Sequence, residues 1–328
     1  ATTRAAARTT SAGSTVARKS TAERPHDEVA FLDPTGLRVG LTLTGVSSPE
    51  TENAPPEEVV GGYRLVRQLG QGGMGEVWVG EHTMLDRKGA VKLLLPMWSQ
   101  DPAILERFFT EARATSRIHH PSIVEIIDCG VTPGGRAFIL MELLDGRNLR
   151  EHVDGRGGAD LDLMCGVGEG VASALAAAHA QKIVHRDLKP DNLFVLARPA
   201  GTELQGRVRL KVLDFGIALD ITSPGLPRDE GMTGTILYMA PEQVAAEAVG
   251  AKADLYALGV VLFAALTGKA PFAGRGSAIL DAKLLGPAPD PRALVPDLPG
   301  DLAALTVDLL QTDPAHRPSA ADVLLRLG

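Results

Sequence analysis

"YRLVRQLGQGGMGEVWVGEH" (residues 63–82) sets a glycine-rich turn between two alternating segments. Tyr63, Leu65, Arg67 and Leu69 fall on one face of the first segment, and Val77 and Val79 repeat the period in the second. A period of two predicts a strand on each side of the turn. The turn, "GQGGMG" (70–75), fits GxGxxG through Gly70, Gly72 and Gly75. By itself that pattern marks either an ordinary turn or a nucleotide loop. A dinucleotide fingerprint needs a strand that runs into a helix, with the pyrophosphate at the helix N-terminus. Here a strand follows, which suits a lid over phosphates better than a Rossmann turn. With no Cβ in the way, glycine lets backbone N–H groups approach phosphate oxygens closely.

Downstream, "GAVKLLL" reads as a third strand, and "IVEIIDCGV" and "RAFILMELL" as two more, joined by the turn "TPGG". Between them "DPAILERFFTEARATSRI" reads as a helix, with Asp101 as N-cap and Pro102 as its first residue. Ile104, Phe108 and Ala112, with Leu105 and Phe109, form its apolar stripe. The first half is therefore a small sheet with one helix. The second half is mostly helical: "LMCGVGEGVASALAAAHAQ", "KADLYALGVVLFAALTG", and segments near 277–286, 301–311 and 319–327. Short strands, "LFVL" and "VRLKVLD", lie between the first two.

Residues 1–60 differ from the rest. An Ala/Thr/Ser/Arg-rich start gives way to the acidic, Pro-rich "SSPETENAPPEE", with no sustained apolar period. This reads as a disordered tail and linker, ahead of a transit peptide, because the start lacks a clear amphipathic helix. "VAFLDPTGLRVGLTLTG" (29–45) is a candidate strand pair or docking segment. The chain of 328 residues is 45% apolar but only 4% aromatic, so its core is built from Ala, Val, Leu and Ile. A net charge of −7 argues against a nucleic-acid binder. Two cysteines, Cys129 and Cys165, without a CxxC pattern, argue against a disulfide scaffold or structural zinc and fit a reducing compartment. The longest apolar stretch, "LYALGVVLFAALTG" (255–268), is too short to span a bilayer, so no membrane span is expected within the chain.

"HRDLKPDN" (185–192) crowds His185, Arg186, Asp187, Lys189, Asp191 and Asn192 beside the apolar "ALAAAHAQKIV". Buried polar groups need partners. The octet is either a solvated turn or a site that meets something other than protein. Lys92 is either an edge residue reaching for water or an ammonium held by Glu111. Asp214 in "VLDFG" (212–216) fits turn chemistry as well as a site.

Taken in order, "LGQGGMGEVW", "AVK", Glu111 in "RFFTEA", "HHPSIV", "MELLDG", "HRDLKPDN", "DFG", "YMAPEQ", "ADLYALGVVL" and "HRPSAADVL" resemble the eukaryotic-type serine/threonine protein kinases, most of all their bacterial members. The likeness runs from about Tyr63 to Leu327. It implies an α+β bilobal fold: a five-stranded antiparallel sheet with one main helix (61–144), then a larger, mostly helical lobe (145–328). It also implies roles. Gly70, Gly72 and Gly75 cover the triphosphate of ATP, and Val77 and Ala90 flank its adenine. Lys92, paired with Glu111, holds the α- and β-phosphates. Met141 is the gatekeeper, and the backbones of Glu142 and Leu144 bond the adenine edge. Asp187 takes or orients the substrate hydroxyl proton, and Lys189 offsets the γ-phosphoryl charge. Asn192 and Asp214 bind Mg2+, for which Mn2+ is a substitute. Glu242 pairs with Arg317, Asp254 braces the backbone of His185 and Arg186, and His185 packs by Phe215 without acid–base duty.

The implied function is phosphoryl transfer from Mg·ATP to Ser and Thr hydroxyls of proteins, autophosphorylation included, with a transient homodimer as one route. The rival reading is a pseudokinase or ATP-binding scaffold; a pseudokinase usually lacks the lysine, the base or the metal-binding Asp, whereas Lys92, Asp187, Asn192 and Asp214 are all present. A small-molecule kinase fits less well, because "GTILYMAPEQ" resembles a peptide-docking loop. Gly231 stands at the usual acceptor place of the activation segment, four residues before Thr235. That leaves Thr233, Thr222 and Ser223 as acceptors, or Asp229 and Glu230 as permanent charges. Thr235 reads as a bridge between Asp187 and Lys189. The implied location is cytoplasmic, or the cytoplasmic part of an anchored kinase if the chain continues past residue 328.

Overall fold

The computed structural model describes residues 58–153, 160–197, 208–215, 236–272, 274 and 277–328. The expected tail through residue 57, the segment 29–45, Gly216 and every candidate of the activation segment from Thr222 to Thr235 lie outside the described residues.

The smaller lobe is an antiparallel sheet of β1 (Val59–Val60), β2 (Tyr63–Gln71), β3 (Gly75–His82), β4 (Lys88–Leu94), β5 (Ile126–Val131) and β6 (Ala137–Glu142), in the order β1-β2-β3-β4-β6-β5. The five expected strands are joined by the two-residue β1, which lies within the stretch expected as tail through residue 60. Val60 is buried, Leu65 N donates to Glu58 O at 3.1 Å, and Val60 pairs with Tyr63. Helix α1 (Pro102–Ser116) begins as expected, with the Asp101 carboxylate accepting from the amides of Ala103 and Ile104.

Period-two alternation sorts the sheet into two faces. Val77, Ala90, Leu94, Ala137, Ile139 and Met141 join Phe108 and Ala112 of α1 in one cluster. Trp78, Val91, Leu93, Phe138 and Leu140 join Val60, Tyr63 and Leu65 in the other. Lys92 lies between Ala90 and Leu94 in a strand paired on both sides, to β3 and to β6. It is no edge residue, so the snorkelling alternative falls. Arg67 breaks the expected alternation of β2: the register shifts between Leu65 and Arg67, and Arg67 faces solvent. A bulge of this kind sends the next side chain to the opposite face. Gly89 is explained by packing. It pairs with Gly80, and a Cβ at Gly89 would lie 2.9 Å from Leu140 Cδ1 and 3.3 Å from Tyr63 Cε1. The two glycines make room for the buried Tyr63 ring.

The larger lobe comprises β7 (Gly146–Asn148), α2 (Leu149–Val153), α3 (Leu161–Ala180), β8 (Leu193–Leu196), β9 (Leu210–Val212), α4 (Pro241–Val244), α5 (Ala251–Thr267), α6 (Ser277–Leu285), α7 (Gly300–Leu309) and α8 (Ala320–Leu327). Strands β7, β8 and β9 form a second antiparallel sheet. Helix α5 is apolar all round and buried almost throughout, as a central core helix must be. Among the described residues α3 alone is long and apolar enough to cross a membrane. Its Met164, Val167, Val171, Leu175 and Ala178 are instead packed in the core with α5, α7 and α8.

The expected pair of Glu242 and Arg317 is present and buried. Arg317 donates to both Glu242 oxygens at 2.6 and 2.8 Å, and to the carbonyls of Gln311, Lys252 and Thr312. Removing one partner of such a pair leaves a buried charge alone. Glu242→Ala is expected to lower the unfolding free energy by about 3–5 kcal/mol, read from the midpoint of urea unfolding. A shift of less than about 1 kcal/mol, the range of a surface pair, contradicts this.

Candidate active site

Strand β4 and helix α1 bring Lys92 and Glu111 together beneath the glycine turn. Lys92 Nζ lies 3.6 Å from Glu111 Oε1, as expected, but closer, at 2.8 Å, to Asp214 Oδ1. Burial works against the charge on Lys92, yet Asp214 and Glu111 outweigh it and hold its pKa above the ordinary lysine value. Burial pushes Glu111 up to about 7; Lys92 opposes the rise, and Asp214 and Asp187 add to it. The distances explain why the two partners differ: Asp214 has the nearer claim on the ammonium, so Lys92 stays charged and Glu111 is the readier to take a proton. Asp214 sits at φ +38°, a left-handed conformation uncommon outside glycine, where aspartate is among the more tolerant residues.

The octet 185–192 folds as a scaffolded loop rather than a solvated turn. Asp254 on α5, 1% exposed, accepts from His185 N and Arg186 N at 2.8 Å each and meets His179 Nε2 at 2.7 Å. Arg186 is thereby held at φ +66°, and its carbonyl accepts from Gln243 Nε2 of α4 at 3.0 Å. The His185 ring lies 4.6 Å from that of Phe215, and its Nε2 is 2.9 Å from Leu213 O, both consistent with a packed role. Around Asp187 the polar groups converge. Oδ2 accepts from Lys189 Nζ at 2.8 Å and from Asn192 Nδ2 at 3.2 Å, and Asn192 Nδ2 also binds Asp187 O at 2.8 Å. Among the described residues Oδ1 of Asp187 accepts no hydrogen bond. Asp191 is held apart from this group by a bidentate bond from Arg150, 2.7 Å on each arm.

Beneath the glycine turn lies an apolar slot. Val77, Ala90 and Met141 share one cluster with Leu69, Leu144, Phe194 and Leu213. Behind it a small cavity opens between Lys92, Glu111, Asp214, Val124, Ile139 and Met141. The residues on either side of the slot are tied down. Glu142 Oε1 accepts from Glu125 N at 2.8 Å and Lys211 Nζ at 2.5 Å, and Lys211 also donates to Ile123 O. The glycine turn closes through Gly72 N to Gly75 O at 2.8 Å. A Cβ at Gly75 would meet Leu93 O at 2.6 Å, so only glycine fits there. Its tip is strapped to the β4–α1 connection: Trp98 Nε1 donates to Gly73 O at 3.0 Å and Leu95 N to Met74 O at 2.9 Å.

Of the residues expected from the sequence, Lys92, Glu111, Met141 and Asp214 line that cavity, Val77, Ala90 and Leu144 share the apolar cluster beside it, and Asp187, Lys189 and Asn192 are bonded to one another. Four participants were missed. Phe194 and Leu69 share the slot, and the only sequence sign is their place, two residues after Asn192 and one before Gly70. Trp98 and Lys211 gave no sign, because their partners are backbone carbonyls and a distant glutamate. The donors suit a hard divalent ion: the amide oxygen of Asn192 and Oδ2 of Asp214 have no protein partner among the described residues. Mg2+ takes oxygen ligands and needs few from protein.

Residues 63–326 match the protein kinase domain family. Among curated relatives, the serine/threonine-protein kinase Pkn1 of Myxococcus xanthus is 40% identical over 86% of this chain and 40% of its own length. PknA of Mycobacterium tuberculosis is 37% identical over 85% of this chain and 60% of its own. The chain thus spans about half the length of these relatives. The crystal structure of the Mycobacterium tuberculosis PknI kinase domain matches with a TM-score of 0.62 and 30% identity, covering 82% of this chain and 96% of that one.

The raised pKa of Glu111 has a stability consequence. A carboxylate whose folded pKa exceeds its unfolded value binds more protons in the folded state between the two. Its contribution therefore falls as pH rises from 4.5, its ordinary value, to about 7. Glu111→Gln removes that slope, so the variant is expected to gain on the wild type across this window, measured by urea midpoints at stepped pH. A constant difference between the two proteins overturns the assignment.

Proposed function

The chain belongs to the protein kinase domain family, and from that premise we propose that it is a serine/threonine protein kinase. It moves the γ-phosphoryl group of ATP to Ser and Thr hydroxyls of proteins, its own chain included, on the cytoplasmic side of the membrane. The observation that carries this reading is the convergence of Lys92, Asp187, Lys189, Asn192 and Asp214 on one cleft beneath a glycine turn.

Phosphoryl transfer asks mainly for positioning and charge stabilisation. The adenine fits the slot of Val77, Ala90 and Met141, with the backbones of Glu142 and Leu144 at its edge. Gly70, Gly72 and Gly75 bring amides over the phosphates. Lys92, kept charged and aligned by Glu111, meets the α- and β-phosphates. Asn192 and Asp214 would hold the divalent ion, which would offset phosphate charge when bound. The acceptor hydroxyl oxygen forms a bond to the γ-phosphorus as the bond to the bridging oxygen of ADP breaks. Its proton goes to Asp187, whose Oδ1 is open while Lys189 and Asn192 fix Oδ2. Lys189 then lies close enough to offset charge on the transferring oxygens. Groups preorganised in this way are worth roughly 10²–10³ each in rate.

Transfer of radiolabel from Mg·ATP to a generic basic protein tests the reading. Asp187→Asn is expected to lower transfer by roughly 10²–10⁴-fold while ATP still binds. Wild-type protein that binds Mg·ATP without any transfer would overturn the kinase reading in favour of a binding module.

A further inference from the structure

We propose that Lys283 is a positioning residue for the protein substrate: its side chain holds residues 236–239 in the shape in which they meet a peptide beside the catalytic loop. The proposal rests on the kinase reading and adds to it a residue remote from the nucleotide.

Lys283 lies on α6 and is 1% exposed. Its ammonium donates to three carbonyls within one short stretch, Ile236 at 2.9 Å, Leu237 at 2.8 Å and Met239 at 2.6 Å. An ammonium has three donors, and each is used once. No carboxylate comes within ion-pair distance of it among the described residues; the Tyr256 ring of α5, 5.3 Å from Nζ, is its other partner. Lysine is almost never fully buried without a pairing anion. A leucine or methionine would fill the same space without the loss of hydration, so packing alone does not account for it. What the ammonium adds is geometry: it draws carbonyls of nearby residues to a single point.

The stretch it gathers leads straight to the catalytic loop. Met239 is followed by Ala240, whose amide donates to Gln243 Oε1 at 3.0 Å. Gln243 Nε2 in turn donates to the carbonyl of Arg186, the neighbour of Asp187. Glu242, between them, is fixed by Arg317. Residues 236–239 are thus gripped from α6 and, through Ala240 and Gln243, joined to the backbone of Arg186 beside Asp187. This series of bonds ties the shape of residues 236–239 to the backbone beside Asp187, where an acceptor hydroxyl must arrive. Burial also pushes Lys283 down to about 7. The groups facing it from α5 and beyond do not reverse this. Tyr256 is itself pushed up by burial and stays neutral, and Arg317, 4.9 Å from the centre of that ring, is paired with Glu242. A neutral amine keeps two donors for three carbonyls, so the grip loosens as pH rises through about 7.

Steady-state kinetics with a peptide acceptor test this in two arms. In the first, Lys283→Met, folded as judged by its thermal midpoint, is expected to raise the peptide KM roughly tenfold or more, the scale of lost charge-assisted hydrogen bonds, with the KM for ATP within about twofold. Lys283→Arg is expected to recover part of the loss. In the second arm, which needs no variant, the wild-type peptide KM is expected to rise between about pH 6 and about pH 8.5 while that for ATP stays level. An unchanged peptide KM in Lys283→Met overturns the proposal. If that variant does not fold, a peptide KM in the wild type that is flat with pH overturns it instead. Wild-type protein that transfers no phosphate at all defeats the kinase reading, a result distinct from either.

Discussion

One buried carboxylate holds the centre of this molecule together. Asp254, on the central helix α5, binds two successive backbone amides of the octet and the ring of His179 on α3. A carboxylate at 1% exposure is tolerable because three donors satisfy it. It holds Arg186 in a left-handed conformation that its side chain disfavours. From that turn Asp187, Lys189 and Asn192 come into hydrogen-bonding contact with one another, while His185 stays packed against Phe215. Preorganisation at the cleft therefore begins in the core of the larger lobe.

The smaller lobe solves a different problem, which is to present one cation from the interior of a sheet. Its inner strands β4 and β6 are covered on both faces, so they read as nearly continuous apolar runs. Lys92 interrupts one such run on the face toward α1. Two carboxylates from different elements, Glu111 and Asp214, compensate for its burial. The unequal distances leave one carboxylate more firmly engaged than the other. An arriving anion can then take a share of the ammonium without leaving it unpartnered.

Much of this was legible in the sequence. Asp101 and Pro102 mark the start of α1, alternation marks the two sheet faces, and the resemblance of the ordered motifs to a kinase points to Asp187, Asn192 and Asp214 and to the braces Asp254 and Glu242. What was hidden depends on pairing between distant segments. Periodicity tells which face Lys92 is on, but not that β4 has a neighbour on each side. The bulge that turns Arg67 outward and the two-residue β1 exist only because β2 has particular partners. Lys283, Trp98 and Lys211 bind main-chain carbonyls, and a carbonyl acceptor carries no residue-type signature. Their roles emerge only from coordinates.

The bond from the Trp98 indole to Gly73 has a mechanical meaning. It fastens the glycine turn to the chain just ahead of α1, the helix that carries Glu111. A swing of that helix away from β4 tugs on the turn, and a lifted turn tugs on the helix. The bond is exposed, and bonds of this sort are worth roughly 0.5–1.5 kcal/mol, a bias of a few-fold to about tenfold in populations. It behaves as a spring catch rather than a bolt: weak enough to let go, stiff enough that roof and side wall tend to shift as one piece.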